Sequence, residues 1–272
     1  MKQKISYDNM IKKGFTTFFK DWKLFVTVAL LMTIPIILLN FMQESVAWRI
    51  ILLVTIVIVS LIAFMIYTLA VPLVLKGKRD LEKGAWHHIE KSFLPLLTTY
   101  ILITLIMLLT IIIVLVPISL IYWLFILIAA SSTVMHITFA IIAIVASVVA
   151  SIIVGTYMFF APFIVVLEKK KCIYAVKESY KRVKKKFKAT LGAFIIIKLI
   201  AIALSIIPVI ALAPFYIINN LNLSIIIEQL ALVAQYIFII PATLMGIIYF
   251  LYEGYKVKKK PVKKVASKKK KK

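Results

Sequence analysis

The chain holds a single cysteine, Cys172, so no internal disulfide can form and a cysteine-rich metal site is excluded. Acidic residues are scarce as well, ten Asp and Glu against 34 Lys and Arg, and they form no dense cluster. There is no Walker loop, no G-x-S-x-G elbow and no H-E-x-x-H pair. With those chemistries missing, the sequence reads as a protein that is not an enzyme and needs no cofactor or metal. A cleavable signal peptide is also not expected, because Met1–Lys23 carries six Lys, two Asp and no apolar core.

What the chain has in excess is apolar surface. Hydrophobic residues make up 63% and charged residues 16%, against about 45–50% and about 25% in soluble domains, and the mean hydropathy is +1.05. Apolar stretches run from Leu24 to Met42, Ile50 to Leu75, Leu94 to Leu167, Leu191 to Tyr216 and Ile225 to Leu251. A helical span needs only about 20 residues, so the expectation is an all-α, multi-pass integral membrane protein.

The formal charge of +24 invites a nucleic-acid reading, but its distribution favours another. Six bases lie in 1–23, five in 76–92, ten in 168–190 and eleven in 253–272, leaving Arg49 and Lys198. Bases flanking spans are retained on the cytoplasmic side. All four blocks, and both termini, are therefore expected on the inner face of a plasma membrane. Blocks on one side require an even number of spans between them, which places two spans, Leu94–Leu115 and Thr138–Leu167, in the long middle stretch. The 14-residue piece 117–130 between them reads as interfacial or re-entrant, and the total is six spans. Trp22, Trp48, Trp86 and Trp123 fall near the boundaries, as an aromatic belt would.

Two short signatures recur. The first is aliphatic, charged, charged, Gly or Ser, aromatic: Ile11 to Gly14 and Phe15, Ile89 to Ser92 and Phe93, Val176 to Ser179 and Tyr180. The apolar positions continue at steps of four, three and four, through Ile11, Phe15, Phe18 and Trp22, through Ile89, Phe93, Leu96 and Tyr100, and through Val176, Tyr180, Val183 and Phe187. That spacing draws a stripe along an amphipathic helix lying in the interface. The second is Tyr-x4-Pro, at Tyr67 and Pro72, Tyr157 and Pro162, Tyr236 and Pro241. Twelve Tyr and nine Pro would give roughly 0.4 such pairs by chance. The expected fold is thus six transmembrane helices arranged as three helical-hairpin repeats, each preceded by an amphipathic juxtamembrane helix. The units are 1–75, 76–167 and 168–256, with 257–272 a disordered polybasic tail.

The stretch "APFIVVLEKKKCIYAVKESYKRVKKKF" from Ala161 and the closing "YFLYEGYK" from Tyr249 resemble the membrane domain found with glycerophosphoryl diester phosphodiesterases and a wider set of six-span prokaryotic proteins. The resemblance covers nearly the whole chain up to about Lys256. It implies a six-span fold. The soluble metal-binding barrel of those enzymes has no counterpart in this sequence, so phosphodiesterase activity is not carried over.

Individual residues carry weaker expectations. Lys198 sits seven residues beyond Leu191, about 10 Å into a span at 1.5 Å per residue; it either faces an anionic ligand or snorkels back to the headgroups. Lys177, Lys181, Arg182, Lys184 and Lys185 are candidate contacts for lipid phosphates. Glu228 fits a helix N-terminus. Adjacent His87 and His88 point about 100° apart on a helix and read as a solvated face rather than a metal pair. The functional expectation is a non-enzymatic module that binds or organises anionic inner-leaflet lipids, and a partner protein, through its basic cytoplasmic face. A transporter or channel for a small solute or lipid is the alternative, and nucleic acid ranks below both as a partner.

Overall fold

A computed structural model of the chain describes residues 5–41, 46–75, 85–128, 133–216 and 221–254. The tail 257–272 and the 76–84 linker lie outside the described residues, as do the side chains of Arg49, Trp86 and Glu228. Among the described residues all regular structure is helical. The elements are α1 (Tyr7–Lys20), α2 (Trp22–Phe41), α3 (Val46–Leu75), α4 (Ala85–Ile128), α5 (Thr133–Met158), α6 (Ala161–Glu168), α7 (Cys172–Lys185), α8 (Phe187–Tyr216), α9 (Leu221–Phe238), α10 (Ile240–Tyr249) and a closing π turn, Phe250–Gly254. Five segments among them are long and apolar enough to cross a membrane: Ile50–Leu75, His87–Ile126, Thr133–Glu168, Phe187–Leu212 and Gln229–Gly254. Within α2 the apolar piece Trp22–Pro35 is shorter. This is the composition of a helical membrane protein.

The amphipathic helices form for local reasons. Ser6 caps α1 by accepting the Asn9 N–H at 3.3 Å, and Asp8 in the first turn complements the helix dipole. At Asp21 the backbone leaves helical geometry (φ −139°, ψ 46°) and its N–H turns back to the Phe18 carbonyl. At Lys186, after α7, the same turn occurs (φ −138°, ψ 33°), with its N–H on the Val183 carbonyl at 2.8 Å. Each turn falls ten residues past the first aliphatic residue of the short signature, Ile11 or Val176, and a long apolar helix begins at once.

Two sequence expectations need correction here. Beside the apolar stripe, small residues take much of the close contact: α1 buries Met10, Gly14 and Thr17, and α7 buries Ala175 and Ser179 together with Val183 of the stripe. Small residues let helices approach closely, so the aromatic neighbours are displaced to the rim, with Phe15 half-buried and Tyr180 exposed. Around the second signature the amphipathic turn is not a separate helix, because α4 runs without a break through Ser92, Phe93 and Pro95. Nor is 117–130 a separate piece: residues 117–128 continue α4, antiparallel to α5, with Tyr122 and Phe125 against Phe139. From Leu94 to Ile128 this helix is about 52 Å long at 1.5 Å per residue, against a hydrocarbon core of about 30 Å. An upright α4 therefore carries its Trp123, Leu124 and Phe125 end well past the hydrocarbon.

The core sits where three proline-bearing segments converge. All of Ala161–Val166 in α6 is buried, and in α10 every residue except Thr243 is buried. A helix apolar all round belongs in a protein core or in hydrocarbon; these two are enclosed by protein, and the C-terminal half of α3, with Met65, Ala70 and Val71, completes the enclosure. A chain of rings links the three, from Phe64 to Phe163 (5.4 Å), to Phe250 (5.3 Å), to Phe160 (5.3 Å) and to Tyr249 (6.0 Å). Against α10 lies α1, and the contact depends on Gly14: a Cβ there would collide with the buried Met245 side chain and stand 3.2 Å from the Pro241 carbonyl. Alanine is normally better than glycine inside a helix by about 1 kcal/mol. Gly14→Ala should nevertheless lower the thermal midpoint in detergent and Gly14→Val should lower it further; a rise with alanine would show that α1 does not need this close approach.

Candidate functional site

Among the described residues, Lys20, His88 and Arg182 meet the ends of apolar helices, so the first use the fold makes of its bases is internal. A helix ends with carbonyls that have no intrahelical donor, and cations are favourable there. At the basic end of α3 the Lys20 ammonium donates to the Val74 carbonyl at 3.0 Å. On α6, His88 Nε2 meets the Val166 carbonyl at 2.6 Å, its ring N–H donating. After the closing π turn, Arg182 Nη1 donates to the Gly254 carbonyl at 2.5 Å. His88 is therefore not on a solvated face. His87 beside it is exposed, 3.7 Å from Glu90.

Arg182 is the centre of the densest network. Its guanidinium grips Glu168 with both ends, Nη1 to Oε1 at 2.5 Å and Nη2 to Oε2 at 2.8 Å, while Nε donates to Glu178 at 2.9 Å. The Arg182 side chain is 8% exposed and that of Glu168 11%. Burial alone would lower the guanidinium's pKa; the two carboxylates outweigh it and raise the value, holding the cation charged. Of the candidate lipid contacts, then, Arg182 is turned into the protein and is unavailable to a lipid. It ties α6, α7 and the π turn together across 72 residues of sequence.

Similar ties surround it. Glu253 pairs with Lys186 and accepts the Ile5 N–H at 3.2 Å. Lys13 donates to the Tyr252 hydroxyl at 2.5 Å, with its ammonium 4.2 Å from that ring's centre. Tyr7 donates to the Ala189 carbonyl at 3.1 Å. None of Glu168, Glu253, Tyr7 or Tyr252 stands out in sequence. Scarcity of acid was the available signal, since two of ten acidic residues stand where apolar segments end.

The remaining candidate bases are free to face outward. Lys177, Lys181, Lys184 and Lys185 are exposed on α7, with Lys184 set over the Tyr180 ring at 5.9 Å. Lys198 is exposed on the outer face of α8 among Ile195, Leu199 and Ile202. Its ammonium lies 5.7 Å from the Phe194 ring, one turn toward the helix N-terminus and the basic end, which is the direction a snorkelling lysine takes.

The two short signatures meet in space. Ser179 donates to the Tyr157 carbonyl at 2.7 Å and accepts the Phe160 N–H at 3.1 Å, bridging the break between α5 and α6 that precedes Pro162. Gly14 lies against Pro241, as described above. Ser92 is buried on α4. Of the tyrosines, Tyr67 donates to the Phe25 carbonyl at 3.1 Å, Tyr157 stacks on Phe187 at 5.0 Å, and Tyr236 lines a cavity. Pro72 is carried within an unbroken α3. That cavity, about 630 Å³ between α2, α3, α4, α9 and α10, is largely apolar, with Tyr67, Tyr100 and Thr243 among its walls; Lys198 is not part of it.

Among the described residues no group of three or more His, Cys, Asp or Glu is placed to hold a metal. The chain matches no family model, no curated protein and no solved structure. Arg182→Ala should cost about 3–5 kcal/mol, because it takes the guanidinium away from two carboxylates and a helix-end carbonyl. Arg182→Lys should recover little, since one ammonium cannot form the two-pronged grip. Thermal unfolding in detergent measures both, and a neutral Arg182→Ala would show that the network contributes nothing to the fold.

Proposed function

We propose that the protein is a six-span, non-enzymatic membrane module of three repeated units whose basic cytoplasmic face binds anionic inner-leaflet lipids of the plasma membrane. The observation that carries this reading is how charge is used at the basic end. Glu168, Glu178 and Glu253 are held in ion pairs within the protein, while Lys177, Lys181, Lys184, Lys185 and Lys188 project outward where the apolar helices end. A basic side chain near an anionic surface contributes about 1 kcal/mol, so five in one region give a strong local preference. The polybasic tail adds to it. The matched turns at Asp21 and Lys186, and the contact between the two short signatures, support the repeated units; α2 supplies the sixth span.

The apolar cavity between α2, α3, α4, α9 and α10 supports a second reading, a path or resting place for a lipid chain. In that case Lys198, outside the cavity, takes no part, and Lys198→Met leaves any flux or scrambling rate unchanged.

Spin-labelled lipids report the choice a membrane protein makes among its neighbours. In mixed bilayers the reconstituted protein should immobilise phosphatidylglycerol several-fold more strongly than phosphatidylcholine, less so at high salt. The preference should fall when Lys177, Lys181, Lys184 and Lys185 are all changed to Gln. Equal affinity for the two lipids would overturn the proposal. Its orientation has a separate check: a membrane-impermeant thiol reagent should reach Cys172 only after cells are opened, and labelling in intact cells would reverse the topology.

A further inference from the structure

The cavity between α2, α3, α4, α9 and α10 combines apolar walls with hydroxyls that the fold leaves unused. Its volume of about 630 Å³ is ligand-sized, and among the described residues no Lys, Arg, His, Asp or Glu lines it. Six hydroxyls do, from Ser60, Tyr67, Tyr100, Thr104, Tyr236 and Thr243. Tyr67 donates to the Phe25 carbonyl at 3.1 Å and Thr243 to the Ile239 carbonyl at 3.4 Å. Ser60, Tyr100, Thr104 and Tyr236 find no hydrogen-bond partner among the described residues. A Ser or Thr hydroxyl inside a helix commonly returns to the carbonyl one turn back, as Thr55, Thr68, Thr99, Thr110 and Thr156 do. Ser60, Tyr100 and Tyr236 are half-buried, and their oxygens keep surface open to the cavity.

Depth narrows the ligand. Tyr100 lies six residues past Leu94 and Ser60 fifteen residues before Leu75, about 9 Å and about 22 Å along their helices from the basic ends of the two apolar segments. The hydrocarbon core is about 30 Å thick, so these hydroxyls stand where water does not supply the missing partner. An ionised headgroup drawn to that depth would lose its hydration and meet no opposite charge. Exposed Val57, Ile101 and Leu105 among the walls open the cavity sideways toward lipid.

We propose that this cavity binds an uncharged acylglycerol lipid from within the bilayer, its chain on the apolar walls and its ester and hydroxyl oxygens on Tyr100, Tyr236 and Ser60. The proposal rests on the reading of the cavity as a resting place for a lipid chain and adds the class of lipid. Such a lipid has oxygens to accept from the free hydroxyls and no phosphate to hold it at the surface. The basic face takes no part in it.

Native mass spectrometry of the full chain in detergent, with dioctanoylglycerol and dioctanoyl phosphatidylcholine as probes, tests this. Dioctanoylglycerol should bind saturably, and phosphatidylcholine with the same chains should bind at least fivefold more weakly. Tyr100→Phe and Tyr236→Phe should each weaken dioctanoylglycerol about fivefold, the usual scale for one hydrogen bond of about 1 kcal/mol. Tyr7→Phe, outside the cavity, should weaken it less than twofold. Because Tyr100→Phe and Tyr236→Phe keep their rings and remove only unpaired hydroxyls, the thermal midpoint without ligand should not fall, so a loss of binding is not a loss of fold. Equal binding of the two probes, or binding that ignores both substitutions, would overturn the acylglycerol assignment and leave a cavity that accepts any lipid chain. No saturable binding of either probe would overturn the lipid-chain reading with it.

Discussion

Backbone groups near a bilayer must find partners inside the protein, because hydrocarbon offers none. Every other feature of this fold is arranged around that constraint at the places where helices stop or break. Pro162 removes a donor and the chain leaves α5 just before it; Ser179 from α7 then serves both a freed carbonyl and a freed N–H. Where the proline-bearing segments end, Lys20, His88 and Arg182 reach across to the carbonyls of Val74, Val166 and Gly254. These side chains come from α1, from the first turn of α4 and from α7, so the helix ends are tied to those elements.

That use of bases explains how one block of charge serves two ends. A base that is drawn into the protein, such as Arg182, meets two carboxylates and a carbonyl and gains a specific geometry. A base that faces outward, such as Lys177, keeps its hydration and acts over distance on anything anionic. The division follows the helix surface: Arg182 turns inward beside the buried Val183, while Lys177, Lys181, Lys184 and Lys185 are exposed. With so few acids in the chain, those placed at the ends of apolar segments decide which lysines and arginines stay free.

Much of this was legible in the sequence. Apolar length predicts membrane-crossing helices because spanning has no cheaper solution, and the spacing of Val176, Tyr180 and Val183 predicts an amphipathic α7. The same logic says less about which residues pack closely. Hydropathy marks Phe15 and Tyr180 as the residues that avoid water, but at an interface lipid satisfies them equally well, and the close helix contact goes to Gly14 and Ser179. Length misled the reading of 117–130 in a similar way, since a proline at 117 marks a weak point, yet the helix continues through it to Ile128 beside α5.

The sequence by itself determined the class of the protein, the ends of its apolar segments and the positions of its two short signatures, because these depend on transfer of side chains from water and on local turn geometry. Only the tertiary structure decided that the signatures pack on one another and that Arg182 is internal while Lys198 is exposed on the outer face of α8. Those outcomes depend on which segments meet across as many as 248 residues of chain, as Ile5 and Glu253 do, and no local pattern encodes that meeting.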